Sequence, residues 1–107
     1  MVAGPIVDSV RKYLRAVQEQ GIAVRYGVVF GSRSTGGSSA LSDIDLIVVS
    51  PRFDGPRDRR DLDLMWRVAA RTDSRIEPIA CGEKQFQEDD SSAIVEMARR
   101  HGERIDL

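Results

Sequence analysis

At 107 residues, with 41% hydrophobic and 31% charged positions, the chain has the make-up of an ordinary soluble globular protein, and the order of its elements, taken in turn below, is that of an α/β domain. Its longest apolar stretch, Leu46 to Val49, is too short to cross a bilayer. Sixteen basic and seventeen acidic residues leave a net charge of −1, so no overall field draws the chain to nucleic acid or to an anionic membrane, although a local basic patch stays open.

The length is expected to hold a single domain, residues 1–107, with no second lobe for a substrate. Cys81 is the sole cysteine, which excludes an internal disulfide, and the N-terminus lacks the layout of a signal peptide; both favour the cytoplasm. Without a basic neighbour in sequence, Cys81 reads as a small buried hydrophobe.

In chain order, residues 5–20 set Ile6, Val10, Leu14 and Val17 one turn apart with charged residues between them, an amphipathic helix stopped by Gly21. Residues 22–30 are rich in branched and aromatic side chains and predict a first strand ending at Gly31. Residues 43–49 predict a second strand, whose near-continuous apolar run implies burial on both faces and a central position. A turn over 51–56 leads to a helix over 57–71, with Leu62, Met65, Trp66 and Ala69 on one face and Trp66 expected in the core. The run "RDRRDLD" at its start predicts a solvated face laced with i, i+4 pairs, with an RNA-binding patch as the alternative. Residues 76–80 predict a third strand, which Pro78 confines to a sheet edge or turns outward at that position. A last helix over 91–100, capped by Ser91 or Ser92 and stopped by Gly102, closes the series; His101 is a solvated helix-end residue.

The chemistry concentrates in "FGSRSTGGSSALSDIDLIVVS", residues 30–50. Side chains at i and i+2 of a strand share a face, so Asp43 and Asp45 point the same way, ~7 Å apart at their Cα atoms. Two such carboxylates repel unless a cation lies between them, and a divalent metal serves. The plainer alternative is a turn cap at Asp43 and an arginine partner for Asp45. Gly31 lets backbone amides approach an anion, and Ser32 adds a hydroxyl where phosphate is favoured; an ordinary turn is the competing account. Together the two segments suit a nucleoside triphosphate with Mg²⁺. Two-metal chemistry needs a further acid, and Glu77, inside the apolar third strand, is the obvious one, unless it merely faces solvent.

These residues, Gly31-Ser32, Asp43-Ile44-Asp45 and Glu77, resemble the signature of the minimal nucleotidyltransferases of the DNA polymerase beta superfamily, over roughly residues 24–86. The resemblance implies a nucleotidyltransferase fold, a small mixed sheet of at least three strands packed against helices. It also implies two Mg²⁺ ions and transfer of a nucleoside monophosphate from a triphosphate, ATP first among them, to a hydroxyl with release of pyrophosphate. Asp43 and Asp45 would bind both metals, Glu77 would ligate the catalytic one and help deprotonate the acceptor, and Gly31 and Ser32 would hold the triphosphate, with Arg33 in reach of a phosphate. Small members of this family are often antitoxins paired with a HEPN-type ribonuclease toxin, some of which they silence by transferring AMP to a tyrosine. Here the third acid is Glu rather than Asp, and Ser34-Thr35 stands where many relatives carry alanine and arginine. Two alternatives remain: a partner-binding antitoxin that acts by occlusion, and a transferase acting on a small molecule. A homo-oligomer or hetero-oligomer is open, and neither a membrane nor nucleic acid is an expected partner.

Overall fold

The computed structural model describes residues 4–30, 43–89 and 92–107. Along them run α1 (Gly4–Glu19), β1 (Tyr26–Phe30), β2 (Ile44–Val49), a 3₁₀ turn (Pro51–Phe53), α2 (Arg59–Thr72), β3 (Ile76–Cys81), α3 (Glu83–Glu88), α4 (Ala93–His101) and β4 (Glu103–Ile105). The four strands form one mixed sheet in the order β3-β2-β1-β4. β1 is antiparallel to β2 and β4, whereas β2 and β3, joined across α2, are parallel.

Strand alternation divides the core in two. Ile44, Leu46 and Val48 of β2 face α1 and α2, where they meet Val10, Leu14, Val17, Met65, Val68 and Ala69. Ile47 and Val49 face the other way, towards α3 and α4, and pack with Phe86, Val95 and Ala98. The β2 strand is therefore covered on both sides and central, as its apolar run predicts.

Local chemistry sets the helix ends. Gly21, at φ 103°, supplies the left-handed turn that stops α1. Asp58 caps α2 by accepting from the Arg60 amide at 2.8 Å, which moves the helix start two residues past Arg57. Ser92 caps α4, its Oγ accepting from the Val95 amide at 3.4 Å. Asp54 accepts from the amides of Lys84 and Gln85, and so anchors the short α3 to the turn after β2.

Three expectations are corrected. Trp66 is not in the core but 53% exposed. The buried line of α2 is Asp61, Met65, Val68 and Ala69, and Trp66 stands one residue, ~100°, around the helix from Met65. The cause is Asp61: Arg52 of the 3₁₀ turn grips it twice, Nε to Oδ2 at 2.7 Å and Nη2 to Oδ1 at 3.0 Å, so a carboxylate can take an inward position and the helix turns to suit. For the same reason "RDRRDLD" is not wholly solvated, since its central acid is buried. The first strand begins at Tyr26 rather than 22; Ile22 and Val24 are buried but lie outside the strand.

Pro78 lies on the edge strand, as its missing N–H requires. The carbonyls of Arg75 and Cys81 accept from Ile44 and Ser50, so odd-numbered residues of β3 face β2 and position 78 turns its backbone to the open edge. That edge therefore offers a broken row of donors, which discourages another strand from pairing there. Sequence reading missed α3 and β4, whose six and three residues are too short to show a period.

Candidate active site

The candidate acids owe their direction to the isoleucines beside them. Ile44 and Ile76 are fully buried on the α1–α2 side of the sheet, which turns Asp43, Asp45 and Glu77 to the opposite face. The parallel register pairs Ile44 with Ile76 and Asp45 with Glu77. A slip of one residue would reverse the acids and bury them.

The turn before β3 holds that register. Arg75 gives its carbonyl to the Ile44 amide at 2.7 Å, and its guanidinium is clamped by Asp73, Nη2 to Oδ2 at 2.6 Å and Nε to Oδ1 at 2.9 Å. The Arg75 guanidinium holds the Asp73 carboxyl down to about 2, and the Ser9 hydroxyl of α1 adds a hydrogen bond to it. A charged, oriented turn thus fixes where Glu77 enters the sheet.

Across the sheet the acids belong to a row of Phe30, Asp45 and Glu77, since Phe30 pairs with Asp45 on the other side. The next row on that face is Val28, Ile47 and Ile79, where the apolar layer beneath α4 begins. Asp43 is exposed, whereas Asp45 and Glu77 are half-buried. Phe30, 7% exposed, forms an apolar wall beside Asp45. Partial burial raises the Glu77 carboxyl above its ordinary value, and the charges of Asp43 and Asp45 and hydrogen bonds to both raise it further. The three candidate acids therefore share one electrostatic neighbourhood.

The donor set is all carboxylate oxygen, which suits a hard ion such as Mg²⁺ better than a soft one. Among the described residues, no three His, Cys, Asp or Glu side chains converge as a ready-made cage for a metal ion. Gly31, Ser32 and Arg33, the candidate phosphate residues, lie outside the described residues. The described chain reaches Phe30, opposite Asp45, immediately before them.

Cys81 is buried, and burial pushes its thiol up to about 11, so it is the inert hydrophobe its sequence context predicts. His101 is exposed and ends α4. No helix among the described residues is long and apolar enough to cross a membrane.

Comparison with known proteins supplies an independent line. A family model described as a nucleotidyltransferase domain matches residues 10–99. Among curated proteins none matches the chain significantly. A candidate nucleotidyltransferase from Sulfolobus solfataricus superposes with a TM-score of 0.57 at 20% identity, covering 76% of this chain and 70% of that one. A toxin–antitoxin structure with AMP-PNP superposes with a TM-score of 0.60 at 21% identity, covering 92% of this chain and 71% of the other. At such identities the superpositions speak for a shared fold, while the family model spans most of the chain, from the middle of α1 to the end of α4. On that match, the chain belongs to the nucleotidyltransferase domain family.

Proposed function

We propose that the protein is a metal-dependent nucleotidyltransferase that moves a nucleoside monophosphate, AMP from ATP, to a hydroxyl on a protein partner, a tyrosine of a HEPN-type toxin, and so acts as an antitoxin. The observation that carries the reading is the row of acids on one sheet face of a nucleotidyltransferase-family chain, with Asp45 and Glu77 in register and Asp43 beside them. Structural likeness to a toxin–antitoxin structure containing AMP-PNP favours the partner class and the nucleotide.

In this reading Asp43 and Asp45 hold the two Mg²⁺ ions and Glu77 completes the ligand set. The bound ions would supply charge stabilisation for the triphosphate and the leaving pyrophosphate. Gly31, Ser32 and Arg33 are proposed to take the triphosphate through backbone amides, hydroxyl and guanidinium. The acceptor oxygen bonds to the α-phosphorus, the α–β anhydride bond breaks, and pyrophosphate departs. Glu77, in register with Asp45, takes the acceptor proton. The partner brings the acceptor hydroxyl to the row.

The test is transfer itself. Protein, Mg²⁺, α-labelled ATP and the HEPN-type partner should yield labelled partner, and Asp45→Asn or Glu77→Gln should abolish the label. Silencing of the partner that survives an Asp43→Asn, Asp45→Asn double change would replace catalysis by occlusion. Label on an aminoglycoside instead of the partner would move the reading to a small-molecule transferase.

A further inference from the structure

We propose that the outer face of α2 is a docking surface for an acidic protein surface, with Trp66 as its central anchor. The proposal rests on the protein-partner reading above and says where that partner is held. Trp66, 53% exposed, is the largest exposed apolar side chain among the described residues. It lines a shallow recess of 480 Å³ with Arg60, Asp63 and Arg67. The helix has already committed its inner line to the core, so the indole has no intramolecular use there.

Charge says what fits. Arg59, Arg60, Arg67 and Arg71 all point outward on α2, against Asp63 alone. Among the described residues Arg59, Arg67 and Arg71 make no ion pair within 4.0 Å, and Arg60 reaches only Asp58, at 3.6 Å with its own side chain 91% exposed. Such a face is cationic in a chain whose net charge is −1, so its complement is acidic. Asp63 within the recess and Asp58 beside Arg60 interrupt the cationic run, so the face lacks the continuous basic track that a nucleic-acid backbone follows and suits the scattered charges of a protein surface. Tryptophan and arginine together are also the side chains that dominate protein–protein contacts.

Position gives the surface its consequence. Because α2 packs on the Ile44, Leu46 and Val48 side of the sheet, the docking face and the acid row lie on opposite sides of it. A partner held by Trp66 leaves Asp45 and Glu77 uncovered, so holding and transfer are separable.

Trp66 is the only tryptophan, so its emission reports this face directly. The full chain is titrated with the HEPN-type partner while tryptophan emission and calorimetric heat are followed, and a Trp66→Phe variant corrects for the partner's own emission. Expected are a blue shift of Trp66 on saturation and about thirtyfold weaker calorimetric affinity for Trp66→Ala. Arg67→Glu should weaken binding about tenfold, while Arg15→Glu, the same charge change on the exposed side of α1, should not. Calorimetric binding without an emission change, or unweakened binding by both α2 variants, overturns the surface and leaves the partner reading intact. No binding at all overturns the partner reading and the docking surface with it. A blue shift or quench with single-stranded RNA in place of the partner assigns the face to nucleic acid and refutes the proposal.

Discussion

Replacing Glu77 by glutamine separates the cost of the acid row from its use. The Glu77 carboxyl is half-buried and faces Asp45 across adjacent strands; partial burial raises it first, and the charges of Asp43 and Asp45 raise it further. For charges ~5 Å apart, the spacing of adjacent strands, and partly open to water, with an effective dielectric of ~40–80, each repulsion amounts to about 0.8–1.7 kcal/mol before screening by salt. After screening, ~0.5–1 kcal/mol of destabilisation remains for the metal-free protein at neutral pH. Glu77→Gln removes it, so in EDTA the variant should melt about 2–8 °C above the wild type. The sign follows from the raised carboxyl: protonation favours the folded state, so the penalty is absent below the ordinary glutamate range and grows as pH rises through the folded value. The gap between variant and wild type should close in acid. With Mg²⁺ at one hundred times its dissociation constant the wild type should gain ~2.7 kcal/mol, and the variant most of that less. Thermal melts with EDTA and with Mg²⁺, at neutral pH and at about pH 4, check both halves. A variant that melts no higher in EDTA, or that keeps the full rise with Mg²⁺, refutes the shared neighbourhood of Glu77 and the aspartates.

Three further substitutions probe the frame around the row. Asp73, held down to about 2 by Arg75, contributes stability that is present above the ordinary aspartate range and lost as pH falls towards 2. Asp73→Asn should therefore cost about 1–2 kcal/mol at neutral pH and flatten the acid limb of a urea stability profile, while a limb as steep as the wild type's would show that other groups govern it. Tyr13 is fully buried in α1 and its hydroxyl donates to the Met65 carbonyl of α2 at 3.0 Å; Tyr13→Phe should lower urea stability by about 1 kcal/mol without altering nucleotide transfer. A Cβ at Gly82 would collide with the Asp54 carboxylate that holds α3, so Gly82→Ala should cost about 1–3 kcal/mol, and pairing it with Asp54→Ala should recover part of that loss.

What could be read from the sequence is what period and punctuation carry. The apolar run of β2 announced a central strand, Pro78 an edge, and Gly21 and Ser92 the helix ends, because each acts through its own backbone or its immediate neighbours. The alternation in residues 43–49 set both aspartates on one face, and the buried Ile44 makes that direction unavoidable. Trp66 was misread because the inner line of α2 includes a carboxylate: Arg52, nine residues before it, lets Asp61 join Met65, Val68 and Ala69 there. Apolar spacing alone could not reveal that a carboxylate would take an inward position. The pairing of Asp45 with Glu77 was likewise hidden, since register is a matter between strands and the Asp73–Arg75 turn that sets it looks like any polar turn.

The position of the acids explains how such a row can be kept in a small domain. Charges that repel one another are tolerable where the backbone beneath them is over-determined, and β2 is the best-covered strand, with Ile44, Leu46, Ile47, Val48 and Val49 all fully buried. Burying each of these side chains contributes ~1.5–3 kcal/mol, several times the cost of the carboxylate repulsion. Acid substitutions should therefore leave the sheet intact, whereas Ile44→Ala or Ile76→Ala, at ~2–5 kcal/mol each, attacks what aims the acids. The isoleucines act through position alone, so a shorter apolar side chain such as valine at 44 or 76 should keep the aim at a fraction of that loss. A charged or polar residue at either place would favour the one-residue slip that turns the carboxylates inward. The direction of the acids on this strand is thus set from the face that packs on α1 and α2.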